Sequence, residues 1–233
     1  MLILLENIRP NPYIPNWIII VLLIQISILF YIYIYSPRIL LLPFLAIADK
    51  RVRRELMESK NSFQSRLLML LNLVFYLSFS LMLYLLFKEN NFVQTSSLLS
   101  DISYKWRDVV IFSVILFAVM VIVALKKITF ISIAYIFDEI KRFGHFIFSM
   151  DMFLRTLGIV FFILNFAFVW ELIENINVIY FVLIFNTILY ILLLLFNFIE
   201  VVHKTWIDYL NFILYFCALE LIPFLFILKI LSR

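Results

Sequence analysis

The sequence predicts an all-α fold: a polytopic membrane helical bundle of about six transmembrane helices with interfacial amphipathic segments. Three observations carry this. Of 233 residues, 66% are hydrophobic and 15% charged, against roughly 45–50% and about 25% in an ordinary soluble domain. A soluble core of that size cannot hide so much apolar surface from water. Apolar runs recur at about the 20 residues that a crossing needs, with room for roughly six of them. The basic residues, finally, gather in the connectors between those runs, where positive charge orients a chain in a bilayer.

The remaining totals exclude several function classes. The single cysteine, Cys217, lies inside an apolar run, so no intramolecular disulfide or cysteine-based zinc site can form. Two histidines, His145 and His203, read as interfacial residues rather than as a haem pair. There is no HExxH, no GxSxG and no GxxxxGK phosphate loop, so catalytic residues, metal ligands and cofactors are expected to be none. A net charge of +4 that sits in membrane connectors does not point to nucleic acid. Two glycines, Gly144 and Gly158, stand where about 16 would be usual. GxxxG crossings are therefore ruled out, and the helices are expected to pack through Phe, Leu and Ile.

Pro10, Pro12 and Pro15 forbid a regular helix before Trp17. The first span is placed at 17–35, with Trp17, Tyr31, Tyr33 and Tyr35 in the interfacial belts. It lacks the basic leader and small-residue site of a cleaved signal. Next comes a connector over 36–66. Within it Val52, Leu56 and Phe63 recur at helical spacing, with Arg51, Arg54, Glu55 and Glu58 on other faces. That pattern predicts an amphipathic helix along the membrane surface over Asp49 to Arg66. The second span is 67–87 and the third 109–125, closed by Lys126 and Lys127. The connector 126–155 contains an apolar piece, 128–150, crossed by charges. It is expected at the interface or partly re-entrant, with Asp138, Arg142, His145 and Ser149 as one polar stripe. Spans at 156–170, 178–199 and 209–230 complete the set.

About 13 of the 19 Lys and Arg fall in 36–66, 126–155 and Lys204, and about 6 on the other side. By the positive-inside rule the first group is cytoplasmic and both termini are periplasmic.

Three passages resemble a known family. They are Tyr215-Phe216-Cys217-Ala218-Leu219-Glu220-Leu221-Ile222-Pro223, the connector from Pro37-Arg38 through Arg53-Arg54-Glu55 to Arg66, and the Ser78 to Tyr84 stretch. The first is similar to the C-terminal signature of a six-helix inner-membrane family of Bacteroidota, domain of unknown function four-two-seven-one. The resemblance implies a bacterial inner membrane and assigns no chemistry.

Glu220 is the leading candidate for a special role. An ionised carboxylate at mid-span costs about 2.5–3.5 kcal/mol, so it must face protein and be paired or protonated. Pro223 leaves the carbonyl of Leu219 without its helical donor beside that acid. Either the two fix helix packing or they form a proton or ion site. Partner candidates are Asn72, Asn165, Asn186, Asn197, Arg142 and His145, the asparagines also serving as interhelical hydrogen-bonding groups. The leading functional expectation is a non-catalytic scaffold or accessory subunit of an envelope complex, touching the lipid bilayer and a membrane-protein partner but no nucleic acid. The alternatives are a small transporter built on Glu220 and an intramembrane lipid-modifying enzyme.

Overall fold

Pro15, in extended conformation at φ −61° and ψ 139°, opens the first helix, α1, which runs Asn16–Tyr35. The computed structural model describes residues 15–58, 62–89, 104–136 and 140–170, together with 181, 184–186, 188, 191 and 192. Helix α1 ends at Ser36, whose φ of −163° and ψ of 88° leave the helical region. Pro37 then starts α2, Pro37–Ala48, at a position where the missing N–H would be unsatisfied anyway. At 12 residues α2 is about 18 Å long, too short to cross a hydrocarbon layer of about 30 Å.

Asp49 interrupts the helical backbone again and caps the next helix. Its Oδ1 accepts the Arg51 backbone N–H at 2.8 Å, the N-terminal bond that a helix leaves unmade. Helix α3, Lys50–Glu58, is amphipathic. Val52 and Leu56 are half-buried, whereas Arg51, Arg54 and Glu55 are exposed. The helix and its amphipathic pattern are those the sequence predicts, but it is shorter than the expected Asp49 to Arg66. Ser62 already begins α4, so Phe63 and Arg66 belong to the next long helix.

Three long helices come next: α4 at Ser62–Glu89, α5 at Tyr104–Ile136 and α6 at Ile140–Val169. With 28, 33 and 30 residues they measure about 42, 50 and 45 Å, so their ends project beyond the apolar slab. Among the described residues, these three and α1 are the four helices long and apolar enough to cross a membrane. The described residues contain no strand. The chain is an all-α membrane protein.

The structure redraws the middle of the chain. The span expected at 109–125 lies within α5, which continues past Lys126 and Lys127 to Ile136. The segment 128–150, expected as one interfacial or re-entrant piece, divides into the end of α5 and the start of α6. The span expected at 156–170 is the second half of α6. The reason is that a helical backbone satisfies its own hydrogen bonds whatever its side chains carry. Charged residues mark a change of environment, not the end of a helix. The expected spans 178–199 and 209–230 fall outside the described residues except for the few helical positions already given.

Apolar packing sets the directions of the helices. At one end Ile18 and Leu22 of α1 meet Leu81, Tyr84 and Leu85 of α4, Phe112 of α5 and Val169 of α6. At the other, Ile32 of α1 meets Leu67, Leu68 and Leu71 of α4 and Met152 of α6, with Ile39 and Ala46 of α2 filling the corner. The starts of α1 and α5 thus share a layer with the ends of α4 and α6, and consecutive long helices run antiparallel. Helices α4 and α6 form the core, with 56% and 50% of their most apolar stretches buried. The corresponding value for α5 is 11%, so α5 presents Val114, Phe117, Ile122 and Leu125 outward.

One close crossing departs from the expectation that only large side chains would meet. A Cβ placed on Gly158 of α6 would lie 2.7 Å from the Phe75 Cα and 2.8 Å from its backbone nitrogen on α4. The absence of a side chain lets the two backbones touch. Around this point Phe75 stacks on Phe79 at 5.6 Å, and Phe79 on Phe161 at 5.5 Å. A single glycine therefore makes the kind of close approach that the scarcity of glycine argued against.

Candidate functional site: a polar lattice on helix α6

Helix α6 brings polar side chains to neighbouring helices. Nearest its start, Ser149 is buried, and its hydroxyl accepts from Nη1 of Arg53 on α3 at 2.8 Å. Two residues on, Asp151 pairs with Lys127 of α5, with Nζ at 2.7 Å from Oδ1 and 3.0 Å from Oδ2. This pair is partly screened from solvent, the side chains being 33% and 17% exposed. It joins two helices of the same hairpin at the place where the sequence suggested a boundary.

Arg155 comes four residues after Asp151, which puts both on one face of α6. It is 7% exposed. Its Nε donates to Oδ1 of Asn72 on α4 at 2.9 Å, and Nη1 meets the sulfur of Met152 at 3.4 Å. Tyr76, one turn after Asn72, lies within the electrostatic reach of both Asp151 and Arg155. Among the described residues no carboxylate is within ion-pair distance of Arg155, and Asp151 is already held by Lys127. Placing a guanidinium in the membrane interior costs about 2.5–3.5 kcal/mol. A hydrogen bond to a charged group returns about 1.5–3 kcal/mol, so Asn72 offsets much of that cost.

About 15 Å further along α6 a second, neutral set lies deeper among apolar side chains. The Asn165 amide donates from Nδ2 to the Ser78 carbonyl at 2.7 Å. Ser78 in turn donates from Oγ to Oε1 of Gln25 at 3.2 Å. Gln25, Ser78 and Asn165 are all buried. The Gln25 amide nitrogen has no acceptor among the described residues. This chain of hydrogen bonds ties α1, α4 and α6 together through groups that cannot be hydrated at that depth, so breaking it would leave polar atoms stranded.

The residues singled out from sequence fare differently. Asn72 and Asn165 both enter the lattice, one beside the charged group and one in the neutral set. Asn186 is helical and half-buried. His145 is exposed on α6, while Arg142 lies on α6 with its side chain not described. Asp138, Asn197, Glu220, Pro223 and Cys217 lie outside the described residues. Of the expected stripe of Asp138, Arg142, His145 and Ser149, the last three lie on α6, and Asp138 falls outside the described residues. Of that stripe, Ser149 is buried and His145 is not.

Sequence reasoning gave no site role to Gln25, Arg53, Ser78, Lys127, Asp151 or Arg155. Two signals point to Gln25, Asp151 and Arg155: a lone glutamine inside an otherwise apolar run, and an Asp-Arg pair four residues apart. Chemically the lattice can hold helices in register and fix the position of a buried cation. Among the described residues no group of three or more His, Cys, Asp or Glu is arranged to hold a metal ion.

A family model described as Domain of unknown function (DUF4271) matches residues 17–231. No curated protein and no solved structure matches the chain.

Proposed function

The chain belongs to this family of unknown function, and from that premise we propose that it is a non-catalytic inner-membrane scaffold or accessory subunit of an envelope complex. The observation that supports this is that polar groups on neighbouring helices find partners in one another. Arg53 with Ser149, Lys127 with Asp151, Arg155 with Asn72 and Asn165 with Ser78 tie α3, α4 and α5 to α6. Such cross-links favour a fixed shape over a moving or reactive one. The outward apolar side chains of α1 and α5 are then available to lipid and to a membrane-protein partner.

The proposed membrane is the bacterial inner membrane, with α3, the end of α5 and the start of α6 on the cytoplasmic side and both termini in the periplasm. Reporters fused after Arg233 check this. Alkaline phosphatase is expected to be active there and green fluorescent protein dark. The reverse pattern contradicts the orientation.

A second reading has its own support. Arg155 is a buried cation without a carboxylate in ion-pair distance among the described residues, and Glu220 is an acid placed by sequence in an apolar run. An ion- or proton-coupled transporter would use such a charged pair. Variants at Glu220 separate the readings. In a scaffold, Glu220→Gln keeps normal protein levels and normal growth, because shape and hydrogen bonding persist, whereas Glu220→Leu lowers the amount of assembled protein. If Glu220→Gln assembles fully yet behaves like a deletion, a titrating carboxylate is required and the transporter replaces the scaffold.

A further inference from the structure

Two neighbouring hollows share one groove between α1 and α4. The first, of about 350 Å³, lies at the corner where α1 gives way to α2, bounded by Tyr35, Ser36, Arg38, Phe63 and Gln64. The second, of about 440 Å³, lies further along α1, bounded by Ile20, Leu23, Ile24, Tyr31 and by Leu70 of α4. The α1 residues 20, 23, 24, 27, 31 and 35 run in steps of three, one and four, which is a single helical face. On α4, Phe63 and Leu70 are seven residues apart and share a face in the same way. Tyr31 and Tyr35, with ring centroids 4.6 Å apart, join the two hollows along α1, and Tyr35 meets Phe63 edge-on at 5.9 Å across the groove.

The chemistry changes along this groove. Its long section is mostly apolar: the Ser27 hydroxyl donates back to the Leu23 carbonyl at 2.8 Å, and the other hydroxyl there belongs to Tyr31. From Ile20 to Tyr35 it runs about 22 Å, more than half of a hydrocarbon core of about 30 Å. Its end beside α2 adds polar groups to an apolar lining that includes Ile39 and Leu42. Arg38 is exposed there and has no hydrogen-bond or ion-pair partner among the described residues, and Gln64 supplies an amide. Aromatic rings line the transition, as they do where protein meets lipid headgroups.

We propose that this groove holds one anionic phospholipid, its phosphate at Arg38 and Gln64 and an acyl chain along the Ile20 to Tyr31 face of α1. An exposed cation with no partner among the described residues favours a headgroup without a balancing positive charge, and the apolar length beside it suits a tail. The site is distinct from the α6 lattice and does not depend on the scaffold or transporter function.

Native mass spectrometry of the full chain in a mild detergent tests the proposal, with phosphatidylglycerol or phosphatidylcholine of identical acyl chains added. The expected result is a single phosphatidylglycerol adduct, with phosphatidylcholine binding weaker by about fivefold or more, the worth of one basic group near an anionic headgroup. Arg38→Gln should abolish that preference, and Leu23→Trp, which fills the tail section, should weaken both lipids. Arg51→Gln, at an exposed cation on α3, should change neither. Glycerol phosphate in excess should not displace the adduct, because it lacks the tail. Equal binding of the two lipids, an equal loss in Arg51→Gln, an unchanged adduct in Leu23→Trp, displacement by glycerol phosphate, or no adduct at all would each overturn the proposal.

Discussion

Gly158→Leu is expected to prevent the bundle from assembling, and Gly158→Ala to destabilise it by about 1–3 kcal/mol, the usual range for overpacking a filled interior. On a bare helix the alanine change would be favourable by up to about 1 kcal/mol, so the sign of the effect reads the crossing directly. Even one methyl group would lie 2.7–2.9 Å from backbone and Cβ atoms of Phe75, none of which can rotate away. Gly144→Ala is the control on the same helix. There the nearest atom is the Met57 Cε at 3.3 Å, the far end of a flexible side chain, and the change should be nearly neutral. Unfolding by sodium dodecyl sulfate in mixed micelles measures both variants. A stabilised Gly158→Ala protein would mean that α4 and α6 do not touch at this point.

Asn72→Leu should be the most damaging substitution among the polar contacts. It leaves the Arg155 guanidinium, 7% exposed, without its only hydrogen-bond acceptor other than a thioether among the described residues. Loss of a partner to a buried charge costs about 2–4 kcal/mol. Arg155→Met alone removes the charge and should cost less, stranding only a neutral amide. Combined with Asn72→Leu it replaces the whole pair by apolar side chains, a change that is often close to neutral. The double variant is therefore expected to be more stable than Asn72→Leu, with a coupling of more than about 1 kcal/mol in a double-mutant cycle. Additive losses would show that the two side chains act independently.

These two sites also mark where the sequence was and was not readable. Hydropathy located the apolar runs well, because the cost of exposing apolar side chains is summed over many residues and one substitution hardly changes it. Pro15 marked the start of α1 through backbone chemistry that is local. The end of α5 was not readable. Lys126 and Lys127 look like a terminus, yet Lys127 is answered by Asp151, 24 residues later. Arg155 looked like the edge of a span for the same reason, and its acceptor Asn72 lies 83 positions away on another helix. Contacts of that kind depend on which helices are neighbours, and an apolar run carries no record of its neighbours. Gly158 shows the limit from the other side, since overall scarcity of glycine says nothing about where one glycine stands. Asn72 and Asn165 were noticed as amides in apolar runs, but their partners Arg155 and Ser78 became visible only with the helices packed.

The molecule is proposed to serve as a fixed membrane part for other proteins. The most direct test is the composition of the material obtained when the tagged chain is extracted from its native membrane in a mild detergent, separated by size and quantified by mass spectrometry. The expected result is a second membrane protein at a constant molar ratio that persists through separation. A chain that runs alone, and that carries a proton-dependent flux when reconstituted into vesicles, would contradict the scaffold and establish the transporter in its place.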